Sequence, residues 1–190
     1  DMEGENFDFR YRAVNYSEEQ NASYLNIPLM LQYETSGNIR FFLAAGAKAG
    51  FKIKASYEAE ASSLVTSGYY SQYDAELKAP LFAGFGNFGR YKTQKSPLNL
   101  KTSYIASAES GVKFLLAGER SFYMGLFLDY GLNDIIESEG KDVIAYNTQN
   151  PPSFIGNSLL ESTSKTTSQR YIDEVKTLAF GLKIRYAFGL

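Results

Sequence analysis

The sequence predicts an all-β chain that folds as an antiparallel up-and-down transmembrane β-barrel. Every second residue from Ile39 to Ile53 is apolar, whereas the residues between them include Arg40, Lys48 and Lys52. Because alternate side chains of a strand point to opposite faces, this segment has one apolar face and one charged face. An uninterrupted apolar face of this length is typical of a barrel that contacts lipid outside and is polar inside.

Four further segments alternate in the same way, and none carries a charge on its apolar face. They are residues 25–34, 104–116, 122–133 and 178–190. Together with residues 39–53 they predict about five membrane strands. The stretch from Phe7 to Tyr16 alternates less cleanly, and we interpret it as a strand leading into a loop hairpin that ends in the polar run 17–22.

The connections between these strands differ sharply in length. Ser36-Gly37-Asn38 and residues 117–120 are tight turns built on glycine. The other connections are long and rich in Ser, Thr, Tyr and Asn. This is the polarity of a bacterial outer-membrane barrel, whose short turns lie in the periplasm. We therefore expect residues 1–190 to form one barrel domain. The predicted extracellular segments are residues 1–23, 56–97 and 136–173.

Five strands are too few for a closed bacterial barrel, because single-chain barrels have an even number of strands and at least eight. The sequence therefore predicts eight strands in the full protein, of which about three on the N-terminal side are absent from this chain. Asp1 would then lie in an extracellular loop.

Composition restricts the chemistry available to the chain. It has no cysteine and no histidine, which excludes disulfides, thiol chemistry and an imidazole base. A net charge of −2 provides no basic surface for nucleic acid. We expect no enzymatic activity, no cofactor, no metal and no nucleic-acid partner.

Charged residues on the polar faces are candidates for an interior site. Lys48, Glu109, Asp129 and Lys183 lie at similar distances from the turn end of four consecutive strands, so they should meet in the middle of the barrel. Unpaired charge there is costly. Two interpretations remain open: an ion-pair network that fills the lumen, and a path for ions or protons. The further members of this charge layer are Lys113 and Arg185.

Two other motifs suggest functions. Residues 84–89 read GxGxxG, but Pro97 follows closely and a dinucleotide site would need a helix there, which favours a glycine-aromatic loop. Tyrosines of the first long connection are candidates for contact with a sugar or a partner protein, with packing inside the loop as the alternative. They are Tyr69, Tyr70, Tyr73 and Tyr91. Pro28 suggests a bulge or a break in pairing within its strand.

Several segments resemble one known family. The segments are Tyr24-Leu25-Asn26-Ile27-Pro28-Leu29, residues 45–51, Ala108-Glu109-Ser110-Gly111-Val112-Lys113, residues 127–133 and residues 181–188. In this order and spacing the chain resembles OmpA-like outer-membrane β-barrel proteins of the Bacteroides type. The resemblance implies an eight-stranded barrel in the bacterial outer membrane. Gly181, Ile184 and Tyr186 look like a C-terminal signal for the barrel assembly machinery, or else are simply part of a last strand with an aromatic girdle.

The expected function is therefore that of a structural or interaction protein of the cell envelope, with a side-chain-filled lumen and specificity in its long loops. A small-solute channel or a component of a transport complex is the first alternative, and a soluble lipocalin-like ligand-binding barrel is the second. The expected partners are outer-membrane lipid, lipopolysaccharide, the barrel assembly machinery during insertion and, as further candidates, other outer-membrane proteins.

Overall fold

A computed structural model of the chain describes residues 5–165 and 167–188. Within these residues the chain is built of strands and one short 3-10 helix, Leu81–Ala83. The strands are β1 (Asp8–Val14), β2 (Ser17–Glu34), β3 (Ile39–Ala61), β4 (Ser63–Tyr70), β5 (Ala75–Leu77), β6 (Gly86–Asn87), β7 (Tyr91–Lys92), β8 (Ser96–Pro97), β9 (Ser103–Leu116), β10 (Arg120–Gly131), β11 (Ile144–Ala145), β12 (Ile155–Gly156) and β13 (Leu178–Ala187). Nowhere in this described part does a helix have the length and apolar character needed to cross a membrane.

The residues group into two compact units. The sheet unit consists of Ser23–Ile53, Leu100–Ile135 and Glu174–Leu190. The loop unit consists of Asp1–Ala22, Lys54–Asn99 and Ile136–Asp173. The parts of the predicted segments 1–23 and 178–190 that fall on residues 1–4 and 189–190 lie outside the described residues.

The sheet unit contains five strands in the order β13-β10-β9-β3-β2. The pairings with a defined register, β10 with β13, β10 with β9 and β3 with β9, are all antiparallel. The prediction of an all-β, antiparallel fold is confirmed. Each of the five alternating segments corresponds to one of these strands, although β2 begins earlier than predicted, β3 continues to Ala61, and β10 and β13 end at Gly131 and Ala187, before the ends of their segments. Among the described residues, β2 and β13 border the sheet, and the barrel is not closed.

A single hydrogen bond shows how strongly this sheet is curved. The guanidinium of Arg185 on β13 donates to the side-chain oxygen of Gln32 on β2, 2.7 Å away. Four strand spacings separate β13 from β2, which is about 19 Å in a flat sheet and more than these two side chains can span. The sheet is therefore curled, with its charged face concave.

The opposite, convex face is apolar and exposed. Leu31 on β2 is 84 % exposed, Leu126 on the interior strand β10 is 61 % exposed, and Phe180 on β13 is 79 % exposed. On the concave face Glu109 and Asp129 are buried instead. This inverts the arrangement of a soluble protein and is what a sheet surrounded by lipid requires.

Glycine allows β9 and β10 to approach closely at one point of the bend. Gly111 and Gly125 are direct cross-strand partners. A Cβ on Gly111 would lie 2.2 Å from the carbonyl oxygen of Met124, and one on Gly125 would lie 2.3 Å from that of Ser110. Only glycine fits at either position, as is common where a barrel sheet bends.

The loop unit has a hydrophobic core of its own. Strand β1 pairs with β4, and β4 also pairs with β5 and β6. The buried cluster consists of Phe9, Leu64, Tyr70, Phe85, Val143 and Ile144. Aromatic rings of Phe7, Tyr146 and Phe154 pack around it. These residues come from three separate stretches of chain, which the core holds together.

Two local expectations differ from the structure, those for the polar run 17–22 and for Pro28. The polar run 17–22 belongs to β2 and is not a loop. The long connections 56–97 and 136–173 contain short strands and core residues. Their average polarity hides a few large apolar side chains such as Leu64 and Ile144, which are completely buried. Pro28 causes no break, because β2 runs through it from Ser17 to Glu34. Proline is tolerated there because β2 is an edge strand in the described sheet.

The GxGxxG segment has no nucleotide-binding geometry. No helix follows Gly89 in the described chain; the next element is the two-residue strand β7. Phe85 between the first two glycines is buried in the core of the loop unit. The glycines permit a sharp path around this ring, since Gly84 and Gly86 have φ angles of 81° and 135°.

Candidate functional site

The four charges predicted to lie in the middle of the barrel form two ion pairs on the concave face. Lys48 Nζ lies 2.8 Å from both carboxylate oxygens of Asp129, and the hydroxyl of Ser107 donates to the same carboxylate at 2.6 Å. Lys183 Nζ lies 2.5 Å from Glu109 Oε1. Each pair joins two strands that are separated by a third, so each lysine reaches across an intervening strand.

A second group of polar side chains lies where β2, β3, β9, β10 and β13 approach the short turns, and we refer to it as the turn-end cluster. Its centre is Glu34, which accepts hydrogen bonds from Lys113 at 2.9 Å and from the hydroxyl of Tyr123 at 3.2 Å. Arg40 lies 3.6 Å from the same carboxylate. Arg185 stacks on the ring of Tyr123 at 4.2 Å.

The turn-end cluster includes Lys113 and Arg185, the two further candidates for the interior charge layer. The sequence did not predict which residues they contact. Gln32, Glu34 and Tyr123 were visible on the polar faces of their strands. They were overlooked because alternation identifies a face but does not identify which residues of distant strands meet on it.

On the concave face, as elsewhere in the described residues, no buried side-chain nitrogen or oxygen lacks a hydrogen-bond partner. The cavity beside Glu109, Lys183 and Arg185 measures about 10 Å³, which is at the lower limit for one water molecule. Phe42 and Tyr123 help to line this cavity and pack edge to face, with ring centroids 5.6 Å apart. The charges are thus neutralised by each other, and within the pair of Lys183 and Glu109 the side chains are 41 % and 4 % exposed.

The four candidate loop tyrosines do not form one exposed surface. Tyr70 is buried in the core of the loop unit. The hydroxyl of Tyr69 donates to Asp74 at 2.8 Å, and the guanidinium of Arg10 lies 4.0 Å above its ring. Tyr73 is 65 % exposed. Tyr91 is half-buried, and burial, with a smaller contribution from Tyr57, raises its pKa to about 12.

No group of three or more acidic side chains in the described part of the chain is arranged to hold a metal ion. The polar side chains of the concave face are already engaged with one another. This arrangement can stiffen and fill the interior of a barrel.

A curved antiparallel sheet with an apolar convex face and paired charges on its concave face defines a transmembrane β-barrel protein. Residues 2–137 match the family described as outer membrane protein beta-barrel domain, and the chain belongs to this family. Neither the curated proteins nor the solved structures contain a match to this sequence. Membership of this family implies a place in the bacterial outer membrane. The soluble lipocalin-like alternative is wrong, because its apolar side chains would line the interior.

Proposed function

We propose that this protein is a non-enzymatic barrel of the OmpA-like, Bacteroides type, acting as a structural or interaction protein of the cell envelope. Its lumen is filled by side chains, and its loop unit is extracellular and carries the specificity. The observation that carries the proposal is the mutual neutralisation of the concave-face charges, Lys48 with Asp129, Lys183 with Glu109 and Lys113 with Glu34.

Pairing of this kind supports a structural lumen, since a conducting path needs charged groups that remain hydrated and accessible. The side chains of Lys48 and Asp129 are only 12 % and 10 % exposed. A small eight-stranded barrel is just wide enough to be filled by its own side chains. Arg185, which bonds to Gln32 and stacks on Tyr123, adds a barrier near the turn end.

The convex face supports the proposed lipid partners. It would contact the acyl chains of phospholipid and lipopolysaccharide through side chains such as Leu29 and Leu182, which are 81 % and 78 % exposed. Ile184 and Tyr186 of β13 lie on this same face and are exposed. Their accessibility is compatible with recognition by the barrel assembly machinery.

Conductance across a planar lipid bilayer tests the proposal. The full-length protein with all eight predicted strands, refolded in detergent, should show the heat-dependent gel mobility of a folded barrel and should remain electrically silent after insertion. Removal of the pair in Lys48→Ala/Asp129→Ala should increase the current, whereas the exposed pair variant Glu174→Ala/Lys176→Ala should stay silent. Steady unitary currents from the unaltered protein would favour the alternative of a small-solute channel or transport component and would overturn the filled lumen.

A further inference from the structure

The loop unit contains a groove of about 640 Å³, and none of the ion-paired residues of the concave face lines it. Two stretches of chain line it, residues 88–96 and residues 152–156. Its volume lies within the range of pockets that bind small ligands, about 300 to 1,000 Å³. All of the lining residues belong to the loop unit.

Three half-buried aromatic side chains contribute to this groove. The rings of Phe88 and Phe154 meet edge to face, with centroids 4.8 Å apart and an interplanar angle of 90°. Phe9 stacks behind Phe154 at 5.7 Å and fixes its orientation. Tyr91 borders the same groove. The result is a rigid corner of aromatic surface, on which an apolar face of a ligand can lie.

Apart from two cations, the polar side chains that line the groove are neutral. Gln94 and Ser153 are exposed, so an amide and a hydroxyl face solvent. The oxygen of Thr93 accepts a hydrogen bond from the backbone of Ala59 at 2.8 Å, and Ser96 donates to the carbonyl of Gln94 at 3.1 Å. These contacts hold the 93–96 segment in place beside the aromatic corner.

The two cations of the groove are already neutralised. Arg90 lies 2.9 Å from a carboxylate oxygen of Glu60, and Lys92 lies 2.6 Å from one of Glu58. An anionic ligand such as a phosphate or a sulfated sugar would have to displace these carboxylates, and it would meet equal numbers of positive and negative groups. The charge balance therefore favours a neutral ligand.

We propose that this groove binds a neutral oligosaccharide outside the cell, which rests on the proposed extracellular position of the loop unit. The C–H face of a pyranose ring lies on an aromatic surface, while its hydroxyls exchange hydrogen bonds with neutral amides and hydroxyls. Phe88 and Phe154 supply the aromatic surface. Gln94 and Ser153 supply the polar contacts at its edge.

Calorimetric titration of the full-length protein with all eight predicted strands, refolded in detergent micelles, tests the assignment. The probes are cellohexaose and maltohexaose, with a sulfated heparin hexasaccharide for comparison. At least one neutral probe should bind, with an affinity that is unchanged between low and high salt. Gln94→Ala and Ser153→Ala should each weaken binding about fivefold, the value of one hydrogen bond. Phe82→Ala, at an exposed aromatic side chain outside the groove, should bind as the unaltered protein does.

Three results would overturn the assignment: binding of neither neutral probe, unchanged affinity in both groove variants, or salt-sensitive binding of the sulfated probe alone. Gel mobility and bilayer conductance are measured on the same preparation. A folded, silent protein that fails to bind the neutral probes refutes the groove alone. A conducting protein instead refutes the filled lumen, whatever it binds.

Discussion

Removal of the lysine from the ion pair between Lys48 and Asp129 should destabilise the protein severely. Asp129 accepts three hydrogen bonds, two from Lys48 and one from Ser107. Lys48→Met removes two of the three and leaves a carboxylate without a counter-charge in a site where it is 10 % exposed. Breaking a buried pair in this way costs about 3 to 5 kcal/mol of unfolding free energy.

Urea unfolding in lipid vesicles, followed by circular dichroism and by the folded fraction on unheated gels, measures this cost. The chain has no tryptophan, so these methods replace the usual fluorescence assay. Lys176→Met is the matched control, because the side chains of Lys176 and its partner Glu174 are 33 % and 58 % exposed. An exposed pair contributes about 0 to 1 kcal/mol.

The double variant Lys48→Met/Asp129→Asn completes the comparison. Asparagine keeps an oxygen for the hydroxyl of Ser107 and removes the bare charge, so most of the lost stability should return. The coupling energy between the two sites should reach at least about 2 kcal/mol. A Lys48→Met variant that loses no more stability than Lys176→Met, or a double variant worse than the single one, would show that the pair is hydrated and does not fill the interior.

Three further changes test the sheet and the loop unit. Gly111→Ala places a Cβ 2.2 Å from a carbonyl oxygen and should cost about 1 to 3 kcal/mol of unfolding free energy in the same urea assay. Gly181→Ala is the control and should be nearly neutral, because its Cβ would meet only a side chain at 3.2 Å. Equal losses in the two variants would contradict the close approach of β9 and β10. Leu126→Arg on the convex face should cost about 2 to 4 kcal/mol of unfolding free energy in vesicles. Phe82→Arg, at an exposed site of the loop unit, is the control and should cost little. A tolerated Leu126→Arg would argue against lipid contact. Because burial raises the pKa of Tyr91 to about 12, its folded-state pKa lies above the usual value of 10, so its contribution to stability is complete below pH 10 and is lost as the pH rises towards 12. Tyr91→Phe should remove this part of the alkaline loss, as measured by ultraviolet titration and unfolding at each pH, and an unchanged alkaline profile would contradict the burial.

The five strands of the sheet unit could be predicted from sequence because period-two alternation is a local signal. The pairing of their charges depends on information that is not local. Lys48 lies directly opposite Ile105 on β9, so its neighbouring strand offers it no acid. Asp129 supplies the acid from one strand further on, because the side chain of Lys48 crosses β9 to reach it.

The loop unit was poorly predicted for a different physical reason. Its strands are mostly short, and its core collects single apolar residues from distant stretches, such as Phe9, Leu64 and Ile144. Phe9 lies in the alternating stretch 7–16, which predicted a strand where β1 is found, but Leu64 and Ile144 stand in no repeating pattern long enough to identify one. The candidate tyrosines were likewise predicted from residue type alone, which does not distinguish a buried side chain from an exposed one. Tyr70 is buried in the core, whereas Tyr73 is exposed.

The ion pairs of the concave face also constrain the order in which the sheet can enter a membrane. Lys48 with Asp129, Glu109 with Lys183, and Glu34 with Lys113 each bridge two strands across a third. No two neighbouring strands can therefore satisfy these charges alone, and a lone hairpin crossing lipid would carry them bare at a cost of several kcal/mol each. Insertion of this sheet is favourable only for three or more strands already joined side by side, which makes assembly a collective event.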